Sequence, residues 1–302
     1  MAAVNNHFIV SLCLIFLGFL IKKAGLIKEE DGSVLTRIAI NVTLPGAIIK
    51  SFSALTFEST LLLLPLVALS YGAVMFGLAF FLFRNYRGKT KGLLMLMSLG
   101  LNIGLFGYPF VQSVMPEIQQ YMILFDAGGV ILVFGIMEII AAYYSDSDFK
   151  LNTRNISKKV LTSTNLIVVF LSLFLCILGV RYPKIILDVS GFLAGANMPL
   201  CLLTLGILLN IDIEKKQIGH MVRILVFRYG MGILAGLTVY FFMPFPEPFR
   251  QVMLICLVLP PPMISLAFSI QYGYDYKFSA VFLNICNIIS FLLLWVVFLA
   301  ID

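Results

Sequence analysis

Two apolar stretches far apart in the chain are each interrupted by residues that break helices. The first reads Leu99-Gly100-Leu101-Asn102-Ile103-Gly104-Leu105-Phe106-Gly107-Tyr108-Pro109. The second reads Leu257-Val258-Leu259-Pro260-Pro261-Pro262-Met263-Ile264-Ser265-Leu266-Ala267. Proline has no backbone N–H and its ring clashes with the preceding turn, so three in a row cannot sit inside an ordinary helix. Glycine lets the backbone leave helical geometry at low cost. In lipid, freed backbone groups are tolerated only where they line a cavity or are buried in protein. A matched pair of interrupted spans is the sequence pattern of a solute site near the bilayer midplane. The residues expected to line it are Asn102, Gly104, Gly107 and Pro109 on one side, and Pro260, Pro261 and Pro262 on the other. The half-helix after Asn102 would present unpaired N–H groups and a positive dipole end. The Asn102 amide can donate to a carboxylate or accept from its acid form. A kink with a glycine packing face is the alternative for the first segment taken alone.

Asp126 is the second chemical signal. It lies inside an apolar run, flanked by Phe125 and Ala127-Gly128-Gly129. An intramembrane carboxylate costs about 2.5–3.5 kcal/mol on insertion scales and marks a functional position by default. It is a candidate for proton coupling, or a structural carboxyl that ties down the broken backbone of the first segment. Asn284 and Asn287 share one helix face at i, i+3 and are either polar support for the site or interhelical glue. Asn41 with Pro45, and Asn197 with Pro199, mark two further bent spans that could line the path of a solute. Arg37, Arg223, Arg228 and Glu138 fall toward predicted cytoplasmic span ends, where snorkelling accounts for them. On this reading no cation reaches the midplane, and an anion would be held by amides and helix ends.

These residues need apolar elements to position them, and the composition supplies little else. The chain has 302 residues, 61% hydrophobic and 12% charged. A soluble domain has roughly 45–50% apolar and about 25% charged residues. The excess cannot hide in one soluble core, which makes this an all-α integral membrane protein. At about 20 residues per span, about ten spans fit. They are expected at 7–21, 34–50, 60–83, 92–115, 118–143, 161–180, 185–209, 217–242, 249–271 and 276–300. Lys and Arg concentrate in the gaps after odd-numbered spans, so both termini are expected outside and the long gap at 144–160 in the cytoplasm. The net charge of +6 therefore sets topology and is not a nucleic-acid signal. Met1 to Asn6 carries no Lys or Arg while Lys22-Lys23 follow the first apolar run. That order fits a first span with its N-terminus outside and not a cleaved signal peptide. Cys13, Cys176, Cys201, Cys256 and Cys286 all lie in apolar segments without Cys-x-x-Cys spacing, so neither disulfides nor a metal site is indicated. There is no P-loop, no second deep carboxylate for an aspartyl protease and no deep His for a nucleophilic triad. No catalytic residue and no cofactor is expected.

The long gap divides the chain into two sets of five spans, 1–143 and 161–302. An odd number per half makes the halves opposite in orientation, so similarity between them implies an inverted repeat. Placing Asn102 on Pro260 also puts Met95-Leu96 on Met253-Leu254 and Asp126 on Asn284. A slightly shifted alignment puts Asn41-Val42-Thr43-Leu44-Pro45-Gly46 on Gly195-Ala196-Asn197-Met198-Pro199-Leu200. Each half then has a Pro-bearing second span and a broken fourth span.

The chain resembles the auxin efflux carrier family, which includes bacterial permeases and, more distantly, plant PIN-formed exporters. The resemblance covers nearly the whole chain. It rests on Asn41-Val42-Thr43-Leu44-Pro45, on Asn102 to Pro109, on Phe125-Asp126, on Met198-Pro199-Leu200 with Leu205-Gly206, and on Leu259-Pro260-Pro261. It implies ten spans in two inverted five-helix repeats, with broken helices four and nine crossing in a transport domain beside a scaffold domain. It implies an elevator-type secondary carrier of organic anions, working as a homodimer in the plasma (inner) membrane. Its site residues fall on Asn102, Pro109, Pro260 and Pro261, with Asp126 in support. The short central loop leaves no room for the plant exporters' regulatory segment. A small carboxylate such as a dicarboxylate is therefore the expected substrate, driven by a proton gradient or the membrane potential. A sodium-coupled symporter of bile-acid type and a non-transporting membrane sensor or scaffold are the alternatives.

Overall fold

The computed structural model describes residues 2–28, 30–53, 59–145, 164–209 and 217–301. The expected loop at 144–160 lies almost wholly outside the described residues. Among the described residues all regular structure is helical. In chain order the helices are α1 (Ala2–Lys23), α2 (Asp31–Phe52), α3 (Leu63–Leu82), α4 (Gly88–Val114) and α5 (Pro116–Tyr143), then α6 (Thr164–Ile177), α7 (Lys184–Ile207), α8 (Ile218–Phe242), α9 (247–271) and α10 (Tyr276–Ile301). Seven helices among the described residues (α2, α3, α4, α5, α7, α8 and α10) are long and apolar enough to cross a membrane. The outer faces carry exposed Phe16, Leu66, Phe170, Phe192 and Phe241. Such surface is solvated by lipid and would aggregate in water.

Proline and glycine decide where the helices depart from regularity. Pro45 cannot donate, and the turn before it widens into a π-helical stretch at Ala39–Thr43. In α4, the first half α4a (Gly88–Ser98) ends at Leu99, whose backbone is extended. Gly100 then turns with φ +69, a conformation that L side chains rarely adopt. A Cβ there would also lie 2.7 Å from the Met137 sulfur and 2.9 Å from Pro262 Cγ. The chain resumes as α4b (103–114) through a wide turn at Ile103–Gly107. In α9, the first half α9a (Glu247–Cys256) runs into the Pro260-Pro261-Pro262 strand of chain before α9b (Ile264–Gln271) begins.

The helices pack as two groups. α1 and α2 each pack on α7, and α6 packs on α2. α3 packs on α5, α8 on α4a and α9a, and α10 on both halves of α9. The first group closes at glycines: a Cβ on Gly206 would overlap the Ile15 carbonyl, and one on Gly18 the Leu203 carbonyl. Close backbone approach of this kind is how membrane helices gain packing where no hydrophobic drive separates them from lipid. Where the groups meet, Phe8 of α1, Phe110 of α4b and Phe291 of α10 pack ring to ring, at 5.3, 5.1 and 5.5 Å between centroids. The interrupted segments belong to the second group and face α2 and α7 of the first, in the buried centre.

Candidate functional site

The two breaks meet. The Asn102 backbone N–H donates to the Pro260 carbonyl at 2.8 Å. The loops between half-helices thus touch at the positions the sequence alignment pairs. The interruption leaves carbonyls at the ends of α4a and α9a without helical partners. Arg228, from the middle of α8, gathers them. Its Nη1 donates to the carbonyls of Ser98 (3.1 Å) and Leu99 (3.4 Å). Its Nη2 donates to those of Gly100 (2.5 Å) and Leu259 (3.0 Å). The guanidinium supplies several donors in a rigid fork, and it sits where two helix C-terminal ends concentrate negative partial charge. Ser290 of α10 completes the set by donating to the Val258 carbonyl at 2.7 Å.

Arg228 corrects the expectation that it snorkels to the cytoplasmic interface: it is 3% exposed. The expectation that no cation lies deep in the bundle falls with it. About ten residues precede it in α8, roughly 15 Å of helix at 1.5 Å per residue, beyond the reach of snorkelling. Glu138 is corrected in the same way. It is buried, and the Tyr272 hydroxyl donates to its Oε1 at 3.3 Å. Arg37 and Arg223 are exposed, as expected.

Beside the crossing is a cavity of about 140 Å³. Asn102, Gly104, Asp126, Gly129 and Pro262 line it, with Leu44 of α2 and Met263 closing it. Asn102 is 4% exposed and its Nδ2 has no hydrogen-bond partner. Asp126 accepts a hydrogen bond on Oδ2 from the Tyr108 hydroxyl at 2.8 Å. A Cβ on Gly129 would come within 3.3 Å of the other oxygen, Oδ1, so the glycine keeps that side open. The lining thus combines an amide with an unused donor and a carboxylate among apolar walls. Arg228 does not line it; its charge holds the backbone that does.

The remaining expected residues divide. Gly107 packs under Leu259 and Met122, while Pro109, Pro260 and Pro261 are buried in the walls around the crossing. Asn197 is fully buried, and its Oδ1 accepts from the Thr43 hydroxyl at 2.8 Å, which ties α2 to α7 beside the two prolines Pro45 and Pro199. Asn41 is exposed and its Nδ2 donates to the Arg37 carbonyl at 2.9 Å. Asn284 donates to the Leu208 carbonyl at 3.3 Å, a contact between α10 and the end of α7. Asn287 lines a separate apolar groove with Phe16, Phe106 and Trp295. Sequence reasoning passed over Tyr108 and Thr43 and placed Arg228 at the interface. Tyr108 stood in the quoted Gly-Tyr-Pro motif, and an arginine in mid-span is itself a functional signal.

A buried polar crossing of two broken helices, inside a bundle with lipid-facing outer surfaces, defines a multi-pass membrane protein of the transport class. Residues 7–298 match the family described as membrane transport protein, Mem_trans, and the chain belongs to that family, the auxin efflux carrier family of the resemblance. It is 25% identical over 301 residues to an uncharacterized transporter of Methanothermobacter thermautotrophicus, covering 95% of this chain and 96% of that one. It is 26% identical over 300 residues to an uncharacterized transporter of Methanocaldococcus jannaschii, with the same coverage.

Proposed function

We propose that the chain is a secondary active carrier of small organic anions, with the cavity beside the crossing as the solute site. The observation that carries this reading is the Asn102 amide: a buried donor with no protein partner, lining a cavity at the one place where two broken spans meet. A carboxylate oxygen would satisfy it, together with backbone N–H groups of the wide turn that opens α4b. A cavity of about 140 Å³ suits a small carboxylate.

Asp126 lines the same cavity, and two carboxylates in so small a volume repel. A proton on Asp126 removes that repulsion, which makes it the coupling group for import. Export of a monoanion through a cell-negative potential of about 100 mV gains roughly 2.3 kcal/mol and needs no coupled ion. The architecture behind the reading is ten spans in two inverted repeats, 1–143 and 161–302, with both termini extracytoplasmic. Support comes from the pairs Asn102–Pro260 and Thr43–Asn197. Each pair is equivalent in the sequence alignment and hydrogen-bonded in the fold, which fits positions close to an internal two-fold axis. α1, α2, α6 and α7 form the scaffold and the other helices the moving part of an elevator, in a homodimer.

Uptake of a labelled dicarboxylate into proteoliposomes, under imposed pH and potential gradients, tests the reading. Asn102→Ala and Pro261→Ala are expected to abolish uptake while the protein still inserts. Asp126→Asn is expected to leave a flux that ignores the pH gradient. Wild-type uptake in both crossing variants would refute the site, and a wild-type rate indifferent to both gradients would refute the coupling.

A further inference from the structure

A second cavity lies at the far end of α4b from the crossing. It encloses about 450 Å³ among the end of α2, the end of α4b, the first turn of α5 and the middle of α7. Six of its lining residues are polar, Lys50, Ser51, Gln112, Glu117, Gln119 and Gln120, set among apolar ones. Lys50 and Glu117 carry opposite charges into one cavity, yet neither has an ion-pair or hydrogen-bonding partner for its charged group among the described residues. Gln119 is 4% exposed, and its Nε2 has no partner. Gln112 spends its Nε2 on the Ala194 carbonyl at 2.8 Å, which leaves its Oε1 without one. Buried amide groups are nearly always paired, so the two open amide atoms call for a ligand that supplies the missing partners, and the exposed charges of Lys50 and Glu117 flank them.

The required ligand has an anionic acceptor next to a cationic donor. We propose that this cavity binds α-amino carboxylates, with the carboxylate on Lys50 and Gln119 and the ammonium on Glu117 and Gln112. A simple carboxylate satisfies only half of the lining and leaves the Glu117 carboxylate facing another anion. An amino dicarboxylate keeps the net negative charge of the proposed solute. In its consequence for transport the inference rests on the crossing being the solute site, but binding at this cavity is measurable apart from it.

The test is calorimetric binding to the purified full chain in lipid nanodiscs, with succinate and aspartate as probes that differ by one ammonium group. Aspartate is expected to bind about tenfold more tightly, the effect of one hydrogen bond to a charged group. Glu117→Gln is expected to bring the two probes to parity. Lys50→Gln is expected to weaken both about tenfold. Asn102→Ala is expected to keep the aspartate preference while it abolishes proteoliposome uptake. Equal affinity of the two probes for the wild type, a preference that survives Glu117→Gln, or no binding of either probe would overturn the proposal. Normal uptake by Asn102→Ala with the preference intact would instead overturn the crossing as the solute site and leave this cavity standing. Both substituted side chains are exposed, so an unchanged unfolding midpoint separates lost binding from lost fold.

Discussion

Arg228 is the residue on which the crossing depends. Its guanidinium occupies four carbonyls from two broken helices, and in lipid no water replaces those donors. Leaving a buried acceptor unsatisfied costs about 1–3 kcal/mol. Arg228→Met, similar in volume and without donors, is therefore expected to lose at least about 3 kcal/mol of stability, read as a lower thermal unfolding midpoint in detergent. Arg228→Lys keeps the charge as a point donor without the fork and is expected to fall between. A methionine variant as stable as wild type would show that the carbonyls find other partners. The candidate site was legible in the sequence where backbone chemistry signals it. Asn102, Gly104, Pro262 and Asp126 were named from type and spacing, and all four line the cavity. Arg228 was assigned to the interface instead, because its role is three-dimensional: the carbonyls it holds come from α4 and α9, remote in sequence, and only folding brings them to α8.

At the scale of elements, the same distinction holds between what a helix does alone and what its neighbours make of it. The seven helices among the described residues that are long and apolar enough to cross a membrane fall where apolar runs and charged gaps predict them. Helix partners are less visible, since an apolar sequence faces lipid and protein with the same residues. The glycines carry that information. Gly206 and Gly195 sit on one helix, α7, and look alike in sequence. A Cβ on Gly206 would overlap the Ile15 carbonyl of α1, whereas nothing lies within 4 Å of one on Gly195. Gly206→Leu is expected to push α1 off α7 and to cost upwards of about 1–3 kcal/mol, since backbone cannot yield as a side chain does. Gly195→Leu is expected to be neutral. Folded yield after size-exclusion chromatography, with the thermal midpoint, compares the two. Equal behaviour would mean that α1 and α7 are free to re-register.

At the scale of the molecule, the two helix groups meet across few polar ties. Gln112 of α4b donates to the Ala194 carbonyl of α7, Asn284 of α10 to the Leu208 carbonyl beyond α7, and aromatic rings fill much of the rest. Within the groups the contacts are of another kind, backbone against backbone at Gly18, Gly206 and Gly128. An interface of rings and single hydrogen bonds can slide, while one of interlocked backbones cannot. If the group holding the crossing moves as one body against the other, a covalent tie between them must stop transport without disturbing the crossing itself. In a background with the five native cysteines replaced, Gln112→Cys with Ala194→Cys joins α4b to α7. A short bifunctional thiol reagent is expected to abolish proteoliposome uptake in this pair, and a reagent with a cleavable bridge to restore it on reduction. A second pair within one group, Gly195→Cys with a lipid-facing cysteine at Phe192 of the same helix, is expected to transport after the same treatment. Dicarboxylate binding to the linked Gln112–Ala194 protein is expected to persist at the crossing, because Asn102 lies ten residues before Gln112 and the tie does not reach it. Undiminished uptake by the linked pair would exclude relative motion of the two groups and with it the elevator mechanism. Loss of binding as well as uptake would place the effect of the tie on the site and not on movement.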